Sequence, residues 1–335
     1  MKYSLSYMVL GMTLLIGSFT FVSSGWADER DVLSFISTTD EDRPIILMNT
    51  QGEVLQKLRT EPGHPYTFTW SPDRRSIAYE KCRNAICQIH LMEISTNARR
   101  NIHRQLTFNG DKNEFPAWSP DGKWIAFVSD RAGREGIYRM DADGENVKQL
   151  TKQVKCLNPA WSPDSRSIAF VSHGTLFVID TEAGNVLQIV KANSVFFDCT
   201  WSPDGKQIAF ITAGLEDGIV IYRIDVIDVD RQNTRQLTKA EEGTGIWELA
   251  WSPSGKWIAY ILTQKNGHIA QQFANGIVRI VNTAADGQDE PIEATKGMGA
   301  QYISWVPTAS LPVSSSVEKQ KTLWGKLKQT ETASK

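Results

Sequence analysis

An all-β fold, a closed ring of six four-stranded antiparallel blades, is what three features of this sequence predict. The first is a motif that returns: Trp70-Ser71-Pro72-Asp73, Trp118-Ser119-Pro120-Asp121, Trp161-Ser162-Pro163-Asp164, Trp201-Ser202-Pro203-Asp204 and Trp251-Ser252-Pro253-Ser254, with a worn copy at Trp305-Val306-Pro307. The intervals are 48, 43, 40, 50 and 54 residues, a period that belongs to repeat architectures. The second is a nearly constant segment after each motif: Ile77-Ala78-Tyr79, Ile125-Ala126-Phe127, Ile168-Ala169-Phe170, Ile208-Ala209-Phe210 and Ile258-Ala259-Tyr260. The third is the arrangement of the ends. Five motifs each open a four-strand unit, the sixth opens one strand, and three strands precede the first. These features describe a six-bladed β-propeller.

Each element of the repeat has a physical reason. The Trp ends one strand, and Ser-Pro-Asp-Gly then reverses the chain. Pro presets φ at the second turn position, and Gly122, Gly205 or Gly255 supplies positive φ two residues later. In the returning strand, Ile and the aromatic fall on one face and Ala on the other. Both faces are apolar, so a neighbour packs on each, and the small Ala leaves room for the Trp of an adjacent repeat. A third strand follows (Ile137-Tyr138-Arg139-Met140), then a turn at Asp141 to Gly144, then a fourth ending Gln149-Leu150-Thr151. The first blade needs both ends of the chain. Strands at Asp31 to Ser37, Pro44 to Asn49 and Glu53 to Thr60 lack an opener, and Leu33-Ser34-Phe35 stands where other repeats have Ile-Ala-Phe. The strand ending at Trp305 is expected to complete them, which removes two exposed sheet edges.

Domain boundaries follow at 1–27, 28–307 and 308–335. Lys2, the apolar run Met8 to Val22 and Gly25-Trp26-Ala27 read as a signal peptide, with an uncleaved anchor as the alternative. The propeller is therefore expected to be periplasmic or secreted, and a monomer. The tail from Thr308 to Lys335, with five Lys against two Glu, is polar and expected to be disordered. A formal charge of -2 with no basic stripe argues against nucleic acid.

Four cysteines in an oxidising compartment permit two disulfides in three connectivities. Cys82 and Cys87 flank the turn Arg83-Asn84-Ala85-Ile86 and can bridge within one blade; Cys156 and Cys199 lie on the innermost strands of neighbouring blades and offer a second bridge. Cys82, Cys87 and His90 make a poor metal set, because residues 87 and 90 face opposite ways on a regular strand.

Loops leading into the Trp strands share one face with the loops that follow the Ile-Ala-aromatic strands. That face varies between repeats, and variable loops on a rigid scaffold carry function. It holds Asp40, Glu41 and Asp42, the run Asp130 to Glu135, Glu216-Asp217, and an insertion from Leu262 to Gly276 containing His268. Just before the Trp residues stand Tyr66, Glu114, Phe115, Asn158, Asp198, Trp247, Glu248 and Tyr302. Together with His268 these are the candidate binding residues, a rim suited to a cationic or polar partner. The alternative is that the aromatics wedge between blades and the carboxylates are solvated.

Catalytic spacings are missing. No Gly-x-Ser-x-Gly, His-Glu-x-x-His, Gly-x-x-x-x-Gly-Lys or dinucleotide fingerprint occurs. His64 and His173 fall in variable-face loops and are the one acid–base or metal pair to test. No cofactor, no metal and no catalytic residue is expected.

The series Pro116-Ala117-Trp118-Ser119-Pro120-Asp121-Gly122-Lys123, Ile125-Ala126-Phe127-Val128-Ser129-Asp130-Arg131, Ile137-Tyr138 and Gln149-Leu150-Thr151 resembles the WD40-like repeat of the TolB propeller family, from about residue 31 to 307. In that family a six-bladed periplasmic propeller binds the peptidoglycan-associated lipoprotein, and a separate N-terminal domain engages the Tol machinery. Here few residues separate the leader from the first strand, so the resemblance covers the propeller alone. It implies a non-catalytic module that binds a protein or an envelope component. Similar repeats also occur in prolyl-oligopeptidase-type peptidases and in oligogalacturonate lyases, so the alternative is an enzyme, a lyase or hydrolase, acting on polysaccharide or peptide in the channel.

Overall fold

The computed structural model describes residues 32–60, 64–95, 101–151, 156–191, 195–230, 233–264, 276–284, 289–292 and 295–306. They lie in one compact unit, Asp31–Lys335. The expected signal peptide, the expected tail and His268 fall outside the described residues. No helix of the described residues is long and apolar enough to cross a membrane.

Twenty-four strands of the described residues pair into six antiparallel sheets of four. Blade one holds β1 (Val32–Ser37), β2 (Ile45–Asn49) and β3 (Val54–Leu58); blade two β4 (Pro65–Trp70), β5 (Ser76–Arg83), β6 (Ile86–Glu93) and β7 (Ile102–Gln105). Blade three holds β8 (Asn113–Trp118), β9 (Trp124–Ser129), β10 (Gly136–Asp141) and β11 (Lys148–Gln149); blade four β12 (Cys156–Trp161), β13 (Ser167–Ser172), β14 (Thr175–Asp180) and β15 (Val186–Lys191). Blade five holds β16 (Val195–Trp201), β17 (Gln207–Glu216), β18 (Ile219–Asp228) and β19 (Asn233–Lys239); blade six β20 (Thr244–Trp251), β21 (Trp257–Gln264), β22 (Ile277–Asn282) and β23 (Asp289–Pro291). The last strand, β24 (Ala300–Trp305), pairs with β1 in the register Leu33↔Trp305, Ser34↔Ser304 and Phe35↔Ile303. One late strand added to three early ones closes the ring, as the sequence predicts. The six innermost strands touch in cyclic order, β4 to β8, β12, β16, β20, β24 and back to β4, so they line an axial channel.

The alternation of Ile, Ala and aromatic fixes how blades stack. Ile125 and Phe127 pack with Ala78 of blade two, whereas Ala126 and Val128 pack with Ile168 and Phe170 of blade four. The Trp of the following blade falls over each Ala: Trp161 with Ala126, Trp201 with Ala169, Trp251 with Ala209 and Trp305 with Ala259. Blade one has Ser34 instead, and its hydroxyl accepts a bond from Trp70 Nε1 at 2.9 Å. Each such aromatic is worth roughly 1.5–3 kcal/mol of burial.

At the opposite end from the variable loops, the turn is a repeated polar unit. Ser119 Oγ donates to Asp121 Oδ1 at 2.7 Å and accepts from Trp124 N at 2.9 Å, and Ser71, Ser162 and Ser202 repeat the pattern. The next turn position has positive φ, 78° at Gly122, and Arg74 and Ser165 take the same conformation at 61°.

One expectation needs correction, and the open question of the cysteines is answered. The insertion in blade six does not start at Leu262: Leu262, Thr263 and Gln264 belong to β21, with Leu262 opposite both Ile246 and Ile277. A run of polar residues there hid the continued ladder. Cys82 and Cys87 are bridged, but Cys199 is a free buried thiol, so the second bridge is not made.

Candidate binding site at the channel mouth

Every innermost strand shifts register near its start. The irregularity falls between Pro65 and Phe68, Glu114 and Ala117, Leu157 and Ala160, Phe196 and Cys199, Trp247 and Leu249, and opposite Phe35/Ile36 in β24. The residue three before each Trp therefore sits in a β-bulge: Thr67, Phe115, Asn158, Asp198, Glu248 and Tyr302. Four of these have positive φ, Phe115 at 53°, Asn158 at 41°, Glu248 at 54° and Tyr302 at 46°. None is glycine, so each stores about 1 kcal/mol or more of strain. A bulge re-aims a side chain and leaves an amide outside the ladder.

Carboxylates from the preceding blade take up those amides. Glu80 Oε2 accepts from Phe115 N at 3.2 Å and from Thr67 Oγ1 at 3.1 Å. Asp198 accepts from Leu249 N at 2.6 Å and from its neighbour Cys199 N at 2.8 Å. The Asn158 side chain bonds Asp198 as well, and its own Oδ1 is buried without a partner. Both carboxylates are 5 % exposed.

Electrostatically the cluster is one-sided. Burial pushes the Glu80 carboxyl up to about 7 against the hydrogen bonds that favour its ionised form. Burial likewise pushes Asp198 to about 7. Glu248 lies well above the usual carboxylate range, first through burial and then through Asp198 and Glu80. The Tyr302 hydroxyl is raised by burial and by the same three acids. Among the described residues Lys112 is the one cation that acts on Glu80, and it also lies 4.0 Å from Glu114. The mouth is a set of acids partly kept neutral for want of a counter-charge.

The candidate residues divide in two. Asn158, Asp198, Glu248 and Tyr302 come together in this cluster, with Glu114 half-buried beside it. Tyr66 stands at the rim, 49 % exposed, under the Arg43 guanidinium at 5.6 Å. Phe115 packs between blades three and four, and Trp247 packs with Tyr222 and Leu262 and donates to Thr263 Oγ1. The aromatics wedge between blades, yet the carboxylates are buried rather than solvated. His173 is an exposed turn residue with φ 48°, followed by Gly174 at 68°, and His64 is exposed in blade two. No histidine of the described residues joins a metal-ligating group of three.

Glu80 was missed, although the sequence carried its signal. After Ile-Ala-aromatic the other repeats continue with Val128, Val171, Ile211 or Ile261, and blade one with Ile36; only blade two has a charge there. A charged residue at an apolar strand position marks either a partner or a function.

Fold and site together define a six-bladed propeller whose axial mouth gathers two buried acids, Glu80 and Asp198, and two half-buried ones, Glu114 and Glu248. The family model described as TolB beta propeller domain matches residues 12–175 and 137–286, and the chain belongs to that family. Among relatives, the uncharacterized protein Atu1656 of Agrobacterium fabrum is 35% identical over 95 residues, 28% of this chain and 31% of that protein. The Tol-Pal system protein TolB of Ruthia magnifica subsp. Calyptogena magnifica is 24% identical over 123 residues, 37% of this chain and 26% of that one. The chain thus spans under a third of either relative. The crystal structure of TolB from Acinetobacter baumannii superposes with a TM-score of 0.63 at 24% identity, over 83% of this chain and 67% of that one.

Proposed function

We propose that the chain is a non-catalytic interaction module of the cell envelope, periplasmic or secreted, which receives a cationic or polar element of a protein partner at its acidic channel mouth. The observation that carries this reading is the cluster of buried Glu80 and Asp198 with half-buried Glu248, on the last two of which no cation of the described residues acts. A buried acid without a counter-charge is destabilising in isolation, and a cationic side chain from a partner would relieve it. Membership of a family that includes a Tol-Pal system protein supports an envelope setting. Affinity capture from envelope extract tests the reading, with wild type beside Asp198→Asn/Glu248→Gln. A specific protein retained by wild type and lost with the double variant, at unchanged circular dichroism, is the expected result. Identical recovery on both columns overturns it.

One observation favours the enzyme alternative. Two carboxyls poised near neutrality also suit general acid–base chemistry on a polysaccharide or peptide. Release of reducing ends or new amino termini, abolished by Asp198→Asn, would establish it.

A further inference from the structure

Beside the channel, on the β5–β6 hairpin of blade two, Glu80 of the acidic cluster converges with Cys82 and Cys87, two ligand-bearing side chains that the binding reading leaves unused. β5 and β6 are joined by the two-residue turn Asn84-Ala85, with φ of 52° and 62°. Such a turn makes Arg83 and Ile86 the hydrogen-bonded pair next to it. Cys82 and Cys87 are then the following non-hydrogen-bonded pair, whose side chains approach closely. Their Cα atoms are 3.9 Å apart and their sulfurs are bonded.

Strand alternation puts Glu80 on the same face as Cys82. Both donors to its carboxylate serve Oε2. Its other oxygen, Oε1, lies 3.3 Å from Cys82 Sγ, a sulfur that has no hydrogen to give while the disulfide stands. A nearly buried carboxylate oxygen is thus aimed at a sulfur pair. The ligand atoms of Glu80, Cys82 and Cys87 all fall within 4.8 Å of one another, the one such group of three among the described residues. His90 is not in this group: its ring lies tilted against that of Tyr79, with centroids 5.5 Å apart.

We propose that Glu80, Cys82 and Cys87 form a redox-gated site for a thiophilic divalent cation of the Zn2+ class. A dithiol reductant opens it. One thiolate of the reductant attacks a cysteine sulfur and the Cys82–Cys87 bond breaks. The second thiol of the reductant then displaces the mixed disulfide. The reductant leaves as its own disulfide and the hairpin keeps two thiols. Binding the cation releases both thiol protons and places two thiolates and one carboxylate oxygen on it, with the fourth position open to water. Two sulfurs each about 2.3 Å from a tetrahedral ion sit roughly 3.8 Å apart, which rotation about the cysteine side-chain bonds provides. Thr67 Oγ1 and Phe115 N hold the carboxylate from behind, the role an outer shell plays at metal sites. Thiolate ligands select against hard cations that take oxygen alone.

The test uses the full chain carrying Cys156→Ala and Cys199→Ala, so that the pair supplies the sole thiols. Oxidised and reduced, desalted protein is titrated with Cd2+, following the ultraviolet thiolate-to-metal charge-transfer band, and with Zn2+ against a chromophoric chelator. One equivalent bound by the reduced form and none by the oxidised form is expected. E80Q should weaken binding about tenfold or more while both thiols still react with a thiol reagent, and E80D should recover part of the loss. No charge-transfer band after reduction, a band of equal strength before reduction, or an affinity untouched by E80Q and E80D each overturns the proposal. Circular dichroism on every variant, with E80A as a second truncation, separates lost binding from lost fold.

Discussion

At the scale of single residues, the five Ser-Pro turns opposite the mouth form a natural mutation series. Arg74 holds the left-handed conformation at 61° where Gly122, Gly205 and Gly255 stand in other blades, and its Nε is buried without a partner. Arg74→Gly removes a strained side chain and an unpaired donor, so it should stabilise the protein by about 0.5–1 kcal/mol, read as a higher urea midpoint. Ser165 has the same φ, but its hydroxyl accepts from Asp121 N at 2.9 Å across blades. Ser165→Gly loses that bond and should give no gain; equal effects of the two changes would contradict this account. Asp198 sets a pH dependence. Its folded pKa, about 7, lies above the unfolded value, so the folded state holds the extra proton. Its stabilising contribution is complete below about pH 4 and is lost as pH rises to 7, by an amount on the order of 3–4 kcal/mol. Wild type should lose urea resistance between pH 5 and 7.5 more steeply than Asp198→Asn. Parallel curves would show that Asp198 does not titrate in this way.

At the scale of elements, the blade was legible because one residue type recurs at one structural role. Ala after Ile announced the space that the next blade's Trp fills, and Trp161 with Ala126 or Trp305 with Ala259 are those pairs. The bulge before each Trp was not legible. Its sequence is Thr67, Phe115, Asn158, Asp198, Glu248 or Tyr302, six residue types with nothing in common, since a bulge is specified by the pairing of two strands. The chemistry of these positions was hidden for the same reason: the bulge at Asp198 turns a carboxylate inward to Leu249 N of the next blade, and the bulge at Phe115 turns an amide toward Glu80. The Trp residues themselves are unequal. Trp305 is buried and donates to Ala250 O at 2.8 Å, which ties β24 to blade six. Trp118 is partly exposed and bonds within its own turn, to Gly122 O at 3.3 Å. Trp305→Ala should cost about 3–5 kcal/mol and Trp118→Ala clearly less, by denaturant unfolding. The opposite order would mean that Trp305 does not anchor β24 to blade six in this way.

At the scale of the whole molecule, strand lengths make the ring lopsided. β17 and β18 run ten residues each and β5 and β6 eight, against six in blades three and four. Blades two and five stand on opposite sides of a six-membered ring, so the acids lie on the floor between two raised hairpins. One is tied by the Cys82–Cys87 bridge, and the other is braced by Glu216 with Arg223 and Lys239. Closing a six-residue loop restrains the unfolded chain by roughly 2 kcal/mol. Cys82→Ser/Cys87→Ser should lower stability by that much and leave the six-sheet circular dichroism spectrum intact; a larger loss would mean that the bridge also holds blade two to blade three.

The pairing of β1 with β24 sets an order of events for a growing polypeptide. Leu33 to Ser37 leave the ribosome early, and their hydrogen-bonding partners, Ala300 to Trp305, emerge some 270 residues later. At about 5–20 residues per second, the inner edge of that first sheet goes without its partner for roughly ten to fifty seconds. During this interval a bare apolar edge, Phe35 and Ile36 among it, is open to strands of other nascent chains. Crowded synthesis is therefore where late closure leaves this architecture most open to mispairing.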